Sequence, residues 1–172
     1  MAAVTPVIAG VVSGEASAVI DAIIAVQRTT SAVAPRSRRV LRLAARRGLL
    51  IAAHSGVSLV GWAIAEPCGK GVVELGSLYV LPDRRDGSAV RELTALGTSL
   101  SGTSVVVTMD RRFAQWLRRE WAFAPSNLWG VTRATRGMFL LRRLAPWRLT
   151  AAVRHVAAGS PHYLIRSETS LR

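Results

Sequence analysis

The segment VELGSLYVLPDRRDGSAVREL, residues 73–93, decides how this sequence is interpreted. The apolar run up to Val80 predicts a strand, and Pro82 ends it because proline has no N–H to donate to a sheet ladder. Residues 88–100 predict a helix, and Gly87 lies in the turn before it. A strand that leads through a glycine turn into a helix points several backbone N–H groups at one place, where the helix dipole adds positive charge. The segment therefore predicts a phosphate-binding turn.

Four neighbouring residues strengthen this prediction. Arg84 and Arg85 can donate charge-assisted hydrogen bonds to phosphate oxygens. Ser88 and Ala89 open the helix, and the small side chain of Ala89 leaves its first turn uncrowded. The alternative is an ordinary polar turn, because the pattern Arg-x-x-Gly-x-Ala also arises by chance.

The rest of the sequence alternates between strand and helix patterns. The predicted strands are 5–12, 49–53, 57–65, 72–80 and 104–108, with two weaker ones at 128–133 and 137–141; the predicted helices are 17–28, 35–47, 88–100, 110–121 and 146–158. The last dozen residues carry no clear pattern and are expected to be loosely ordered. This order indicates an α/β fold with a mixed, mainly antiparallel central sheet and helices on both faces.

Composition sets further bounds. The chain has 172 residues, half of them hydrophobic, which is enough for one domain with a substantial core. Its apolar runs are too short to cross a bilayer, and no basic region precedes the apolar N-terminus. The single cysteine, Cys68, suits a reducing compartment. His54, His155 and His162 lack metal-ligand spacing. We therefore expect a cytoplasmic protein without a metal or a membrane partner, either monomeric or homodimeric.

The net charge is the strongest global feature. It is +13, and 22 of the 23 basic residues are arginines, Lys70 being the exception. Such a charge attracts polyanions and speeds their association. A GC-rich genome would produce the same arginine bias, however, so two explanations of the charge remain open.

The segment at 73–93 resembles motif A of the GCN5-related N-acetyltransferases (GNAT), whose signature is Gln/Arg-x-x-Gly-x-Gly/Ala. The resemblance extends over about 5–135 and is specific over about 72–125, so we divide the chain into a GNAT-like acyltransferase domain at 1–136 and a basic C-terminal extension at 137–172, packed on the same domain. The resemblance implies acetyl-CoA, or another acyl-CoA, between the fourth and fifth strands. Two sets of cofactor-binding residues follow from it. They are the backbone of Leu78, Tyr79 and Val80 for the pantetheine arm, and the N–H groups around Arg85, Gly87, Ser88 and Ala89 for the pyrophosphate.

The next helix, within residues 109–123, resembles the family pattern Asn-x-x-Ala-x-x-x-Tyr-x-x-x-Gly-Phe. Ala114 and Phe123 match it. The departures are Arg111 for the asparagine, Arg118 for the tyrosine and Ala122 for the glycine. Many relatives use that tyrosine as the acid toward the leaving CoA thiolate. An arginine can stabilise a thiolate electrostatically but cannot donate a proton at neutral pH.

The resemblance also implies that an amine attacks the thioester, which requires a base. Glu74, on the predicted fourth strand, is the candidate, as histone acetyltransferases of the superfamily place a glutamate in a similar position. The alternative is a strand-edge carboxylate paired with an arginine. Tyr79 is a possible substitute acid, although strand alternation places it on the opposite face from Glu74.

In this superfamily the first two helices border the acceptor groove. Arg38, Arg42 and Arg46 recur every four residues, so they form one stripe on the second predicted helix, opposite Val40, Leu43 and Ala44. The stripe favours an acidic acceptor such as tRNA, DNA or an acidic protein segment. A solvated helix face is the simpler alternative.

These observations predict an acyl-CoA-dependent N-acyltransferase that transfers acetyl directly to an amine. The amine acceptor could be a small molecule, a protein or a nucleic acid. The alternative is a non-catalytic GNAT-fold protein that binds nucleic acid or a protein partner. A basic structural protein of a nucleoprotein particle is a third hypothesis.

Overall fold

The computed structural model describes residues 6–14, 16–30, 35–84, 87–143 and 160–167. The strands within these ranges are β1 Val7–Val11, β2 Leu50–Ser55, β3 Ser58–Gly69, β4 Val72–Val80, β5 Thr103–Thr108, β6 Ala124–Ser126 and β7 His162–Ser167. The helices are α1 Ser17–Thr29, α2 Arg38–Arg46, α3 Ser88–Ser99, α4 Arg111–Glu120, α5 Leu128–Ala134 and α6 Met138–Arg143, with a short 3-10 helix at Pro82–Arg84. The helix predicted at 146–158 lies outside the described residues.

The strands follow one another across a mixed sheet in the order β1-β2-β3-β4-β5-β7-β6. β2 is antiparallel to both β1 and β3, and β7 is antiparallel to both β5 and β6. β4 is parallel to β5 over a short ladder that begins at Val72–Thr103 and ends at Glu74–Val105, although β4 itself continues to Val80. The predicted mixed, mainly antiparallel α/β sheet is confirmed.

The described residues divide into two compact units. The first comprises the residues up to Glu66 together with Leu75–Leu100, and the second comprises Pro67–Glu74 and the residues from Ser101 onward. In the first unit, Leu50 and Ala52 of β2 pack with α1 and α2, whereas Ile51 and Ala53 pack with α3. Because side chains alternate between the two faces of a strand, helices cover both faces of this unit, as the sequence predicts.

In the second unit, β7 comes from the last part of the chain. It pairs with β5 along its whole length and with β6 through its other edge. Leu164, near its middle, is 2% exposed and belongs to the core. The prediction that the last dozen residues are loosely ordered is therefore wrong for this segment, because its strand partners lie far away in the sequence. The division of the chain between residues 136 and 137 stays a prediction.

Two segments predicted as strands, 128–133 and 137–141, are helical, as α5 and α6 show. Asn127 caps α5, and its Oδ1 accepts a hydrogen bond from the N–H of Gly130 at 2.8 Å. Gly137, with φ +83°, lies directly before α6. β-branched residues favour a strand in the first segment, whereas the second contains none and is a short apolar run. The side-chain cap and the left-handed glycine instead set helix boundaries.

α2 begins later than predicted, at Arg38 rather than Pro35. Ser37 is its N-cap and accepts a hydrogen bond from a first-turn N–H. The buried residues of the helix are Leu41, Ala44 and Ala45. The predicted apolar face is therefore wrong for Val40 and Leu43, which are exposed. The later start does not change the helical spacing of the apolar residues. The error came from assigning Val40 and Leu43 to the buried face of the helix.

Gly61 in β3 leaves no room for a side chain. A Cβ there would lie 2.8 Å from the backbone oxygen of Tyr79 and 3.2 Å from Leu93 Cδ1. We expect Gly61→Ala to lower the free energy of unfolding by about 1–3 kcal/mol, the usual cost of overpacking a core, as measured by urea denaturation. Gly10→Ala in β1 is the matched control, since nothing lies within 4 Å of its Cβ position. Equal stability of the two variants would contradict the close approach at Gly61.

Ala122, two residues after the end of α4, has φ +52°, a left-handed conformation that is unfavourable for residues with a Cβ. The N–H groups of Trp121 and Phe123 both donate to the carbonyl oxygen of Leu117, which holds this turn. We expect Ala122→Gly to raise the free energy of unfolding by about 0.5–1 kcal/mol, because glycine adopts this conformation without strain. Ala95→Gly, inside α3, should instead lose about 1 kcal/mol in the same urea titration. A loss of stability in both variants would refute strain at Ala122.

Candidate functional site

The turn between β4 and α3 belongs to the first unit. After β4 the N–H of Leu81 donates to the carbonyl oxygen of Val60 at 2.9 Å. The 3-10 helix ends at Arg84, and Gly87, with φ +90°, is the N-cap of α3. Its carbonyl oxygen accepts a hydrogen bond from the N–H of Arg91 at 3.0 Å, which begins the helix. The predicted order of strand, glycine turn and helix is confirmed.

The start of α3 is open. Among the described residues, apart from those adjoining it in the chain, nothing lies within 4 Å of the position that a Cβ of Gly87 would take. α3 has no side-chain cap, and neither has α1, whereas α2, α4 and α5 are capped by Ser37, Asp110 and Asn127. A helix N-terminus with open space in front of it and no capping oxygen suits an external anion such as a phosphate. This turn therefore fits the pyrophosphate that the sequence resemblance implies.

The remaining predicted residues of the turn are only partly described. Ser88 is half-buried at the first position of α3. Ala89 is fully buried and belongs to the apolar cluster that also contains Leu93. Arg84 is the last residue of the 3-10 helix, and Arg85 lies outside the described residues. The part that the two arginine side chains play in phosphate binding stays a prediction.

β4 carries a break in its alternation at Ser77. This residue has φ +51°, which is unusual for a residue other than glycine. Before the break, the side chain of Leu75 lies against Gly97 of α3. After it, Leu78 packs on the same α3 side. Residues three apart cannot share a face of a regular strand, so the strand shifts its register by one residue at Ser77.

Beyond the break, Tyr79 is buried on the side of α1 and α2, with its ring centroid 4.9 Å from that of Trp62. Leu78 and Val80 pack with α3. Tyr79 and Glu74 were expected on opposite faces because regular alternation along an unbroken strand was assumed. That assumption is wrong, because the alternation breaks at Ser77. The role of Tyr79 as an acid and that of the backbone of this segment in binding pantetheine stay predictions.

Arg36, in the loop before α2, connects three other residues of the first unit into what we call the Arg36 cluster: Gln27, Arg36, Glu66 and Ser77. The Nε of Arg36 donates to Ser77 Oγ at 3.0 Å, and its Nη2 pairs with Glu66 Oε1 at 2.9 Å. The backbone N–H of Arg36 donates to Gln27 Oε1 at 2.9 Å. Sequence reasoning missed this cluster, because its members are far apart in the chain and no local pattern joins them.

Glu74, the predicted base, lies in the second unit and is 7% exposed. The thiol of Cys68 donates a weak hydrogen bond to Glu74 Oε2 at 3.8 Å. Cys68 is itself fully buried in an apolar cluster with Val105 and Phe139. It belongs to β3. The carboxylate of Glu74 is thus shielded from solvent instead of lying on an exposed strand edge.

Arg118, predicted to face the CoA thiolate, lines a pocket of about 220 Å³ in the second unit. Arg111 and Gln115 of α4 lie on the same pocket, and β6 and β7 contribute Ser126 and His162. The residues that replace the asparagine and the tyrosine of the family pattern therefore line one cationic pocket. Whether Arg118 contacts a thiolate stays a prediction.

The predicted arginine stripe of α2 is exposed along its length at Arg38, Arg42 and Arg46. Arg38 forms an ion pair with Asp21 of α1, and both side chains are about half exposed. An exposed ion pair of this kind contributes little to stability. The pairing reduces the charge that the stripe presents at Arg38. The role of the three arginines in substrate binding stays a prediction.

Comparison with solved structures shows the fold directly. An acetyltransferase of the GNAT family from Bacillus cereus superposes with a TM-score of 0.59 at 12% identity, over 92% of this chain and 94% of that one. The chain has the GNAT fold. Diaminobutyrate acetyltransferase from Paenibacillus lautus, solved with its substrate and coenzyme A, superposes with a TM-score of 0.57 at 17% identity over 71% of this chain and 80% of that one.

N-acetylglutamate synthase from Neisseria gonorrhoeae, solved with coenzyme A and N-acetyl-glutamate, gives a TM-score of 0.60 at 16% identity. It matches 94% of this chain, which spans about a third of the length of that synthase (35%). No protein-family model and no curated protein match this chain by sequence. At these identities, the neighbours establish the fold alone.

The part of the chain that the structure describes holds neither a long apolar helix nor a cluster of metal ligands. No helix there is both long and apolar enough to span a membrane. No group of three or more His, Cys, Asp or Glu residues there could hold a metal ion. The predicted independence from metals stays a prediction.

Proposed function

We propose that this protein is an acyl-CoA-dependent N-acyltransferase that transfers the acetyl group of acetyl-CoA to an amine. The observation that carries the proposal is the open start of α3, where Gly87 at φ +90° leaves the first turn without a side-chain cap. A phosphate is the natural guest of such a turn. Two of the structural neighbours were solved with coenzyme A, which supports the same ligand here.

In the proposed reaction the turn at Gly87 binds the pyrophosphate, and the backbone of Leu78 to Val80 binds the pantetheine arm. The amine nitrogen attacks the thioester carbonyl carbon, the C–S bond breaks, and CoA leaves as a thiolate. Glu74 accepts the proton that the amine loses, and Arg118 stabilises the thiolate by its charge. Tyr79 is the alternative proton donor to the thiolate.

Isothermal titration with acetyl-CoA and with CoA tests the proposal. We expect both to bind, and we expect the protein to release CoA thiol from acetyl-CoA when a suitable amine is present. Absence of binding to either ligand would refute the proposal. Binding without thiol release, over a broad set of amines, would instead favour the non-catalytic alternative.

The exposed arginines of α2 are the observation in favour of an anionic acceptor, which includes tRNA, DNA and acidic protein segments. This finer proposal has its own test, a mobility shift with tRNA and duplex DNA at physiological salt. A shift that is lost when Arg42 and Arg46 are both changed to glutamine would support it. No shift in a protein that binds acetyl-CoA would remove the reason for a nucleic-acid acceptor.

A further inference from the structure

The Arg36 cluster pairs a positively charged and a negatively charged side chain, and both are largely buried. The side chain of Arg36 is 21% exposed and that of Glu66 is 10% exposed. A guanidinium offers a planar fork that fits a carboxylate with two parallel hydrogen bonds. A glutamate carboxylate is the matching partner for an ammonium group. The pair is therefore complementary to a molecule that carries both of these groups close together.

An unsatisfied donor lies beside Arg36. Gln27 is 8% exposed, and its Oε1 is engaged by the backbone N–H of Arg36. Its Nε2 is buried and has no hydrogen-bond partner among the described residues. A buried amide nitrogen without a partner is costly and calls for an explanation, such as a ligand. Gln27 Nε2 is therefore a further donor for an acceptor oxygen of a ligand bound at this cluster.

The strained residue of β4 belongs to the same cluster. Ser77 has φ +51°, and its hydroxyl accepts the hydrogen bond from Arg36 Nε. Backbone strain at a residue other than glycine is unfavourable and is concentrated at binding and catalytic sites. Arg36 thus connects the strained point of β4 with the Glu66 carboxylate.

From this juxtaposition we propose that the Arg36 cluster recognises the amine acceptor, and that this acceptor is a free amino acid. Arg36 and Gln27 Nε2 bind its carboxylate, and Glu66 binds its ammonium side. This inference rests on the proposed acyltransferase function and names its substrate class. An extended polyanion fits less well, because it offers nothing to the carboxylate of Glu66.

The test compares free L-amino acids with the matching amino-acid amides, which lack the carboxylate, as acceptors for acetyl-CoA. We expect the wild-type protein to prefer the free acids in kcat/KM by about tenfold to hundredfold, since one charged hydrogen-bonded contact is lost in the amide. Arg36→Gln should abolish this preference while leaving the affinity for CoA within about twofold. Glu66→Gln should raise the KM for the free acids.

Arg39→Gln is the matched control, because Arg39 is exposed on α2 and the change in net charge is the same. It should keep the preference for free acids. If it loses the preference as Arg36→Gln does, the effect belongs to the overall charge and the inference is overturned. Equal use of acids and amides by the wild-type protein would overturn it as well.

Direct binding separates this inference from the proposed function. We expect a free amino acid, and not its amide, to raise the Tm of the wild-type protein without acyl-CoA, and Arg36→Gln to remove that rise. Amino-acid binding in a protein that does not bind CoA would refute the acyltransferase proposal and support the Arg36 site. CoA binding and amine acetylation without any preference for free acids would support the acyltransferase proposal and refute the Arg36 site.

Discussion

Gly87→Glu is expected to raise the Kd for acetyl-CoA by about a hundredfold or more. The variant places a carboxylate in the open space before α3, where the proposed ligand carries its pyrophosphate. Like-charge repulsion and the loss of one or two hydrogen bonds to a charged group together account for an effect of this size. Isothermal titration of the wild-type and variant proteins with acetyl-CoA measures it.

The matched control for this prediction is Gly137→Glu. Gly137 has φ +83°, open space at its Cβ position and a carbonyl oxygen that accepts from Leu141 N–H at the start of α6. Both substitutions add one negative charge and should cost about 1–2 kcal/mol of stability, because a side chain is unfavourable in this conformation. Only the change at Gly87 should weaken acetyl-CoA binding. Unchanged affinity in Gly87→Glu would contradict a phosphate site at this turn.

Glu74→Gln is the second change with a large expected effect. A base that accepts the amine proton typically contributes a factor of 10² to 10⁴, so kcat should fall by about a hundredfold or more. The amide has nearly the shape of the carboxylate and can still accept the hydrogen bond from Cys68, so the fold should persist. Steady-state release of CoA thiol gives kcat, and titration with CoA should give an unchanged Kd.

Glu120→Gln controls for the loss of one negative charge, because Glu120 is an exposed residue of α4. It should retain kcat within about twofold. If Glu74→Gln is as active as this control, Glu74 is not the base. A fall in Tm together with kcat in Glu74→Gln alone would assign the residue to the core beside Cys68, whereas a loss of kcat at constant Tm supports the chemical role.

The segment at 73–93 could be interpreted from sequence because its determinants are local. Pro82 ends a strand, Gly87 permits a left-handed turn, and the residues after it have helical spacing. Each of these effects acts within a few residues. The pattern of α4 was similarly local, and its helix was predicted within one residue at either end.

The errors lie where long-range contacts decide. His162–Ser167 becomes a strand because β5 and β6 lie on either side of it, and nothing near it in the sequence indicates those partners. The break at Ser77 cannot be seen in an apolar run, since a strand pattern assumes regular alternation. The helices α5 and α6 are a different kind of error, because their boundaries are set by local features, the cap at Asn127 and the glycine at 137, which the apolar composition of the segments outweighed.

The sequence by itself therefore determined the strand, glycine turn and helix that form the proposed phosphate site, because short-range backbone chemistry specifies them. Only the tertiary structure decided the neighbours of each side chain. It buried Glu74 beside Cys68, and it brought Arg36 against Glu66 and Ser77. These contacts join residues up to 41 positions apart, and such pairings depend on how the strands and helices pack rather than on any local pattern.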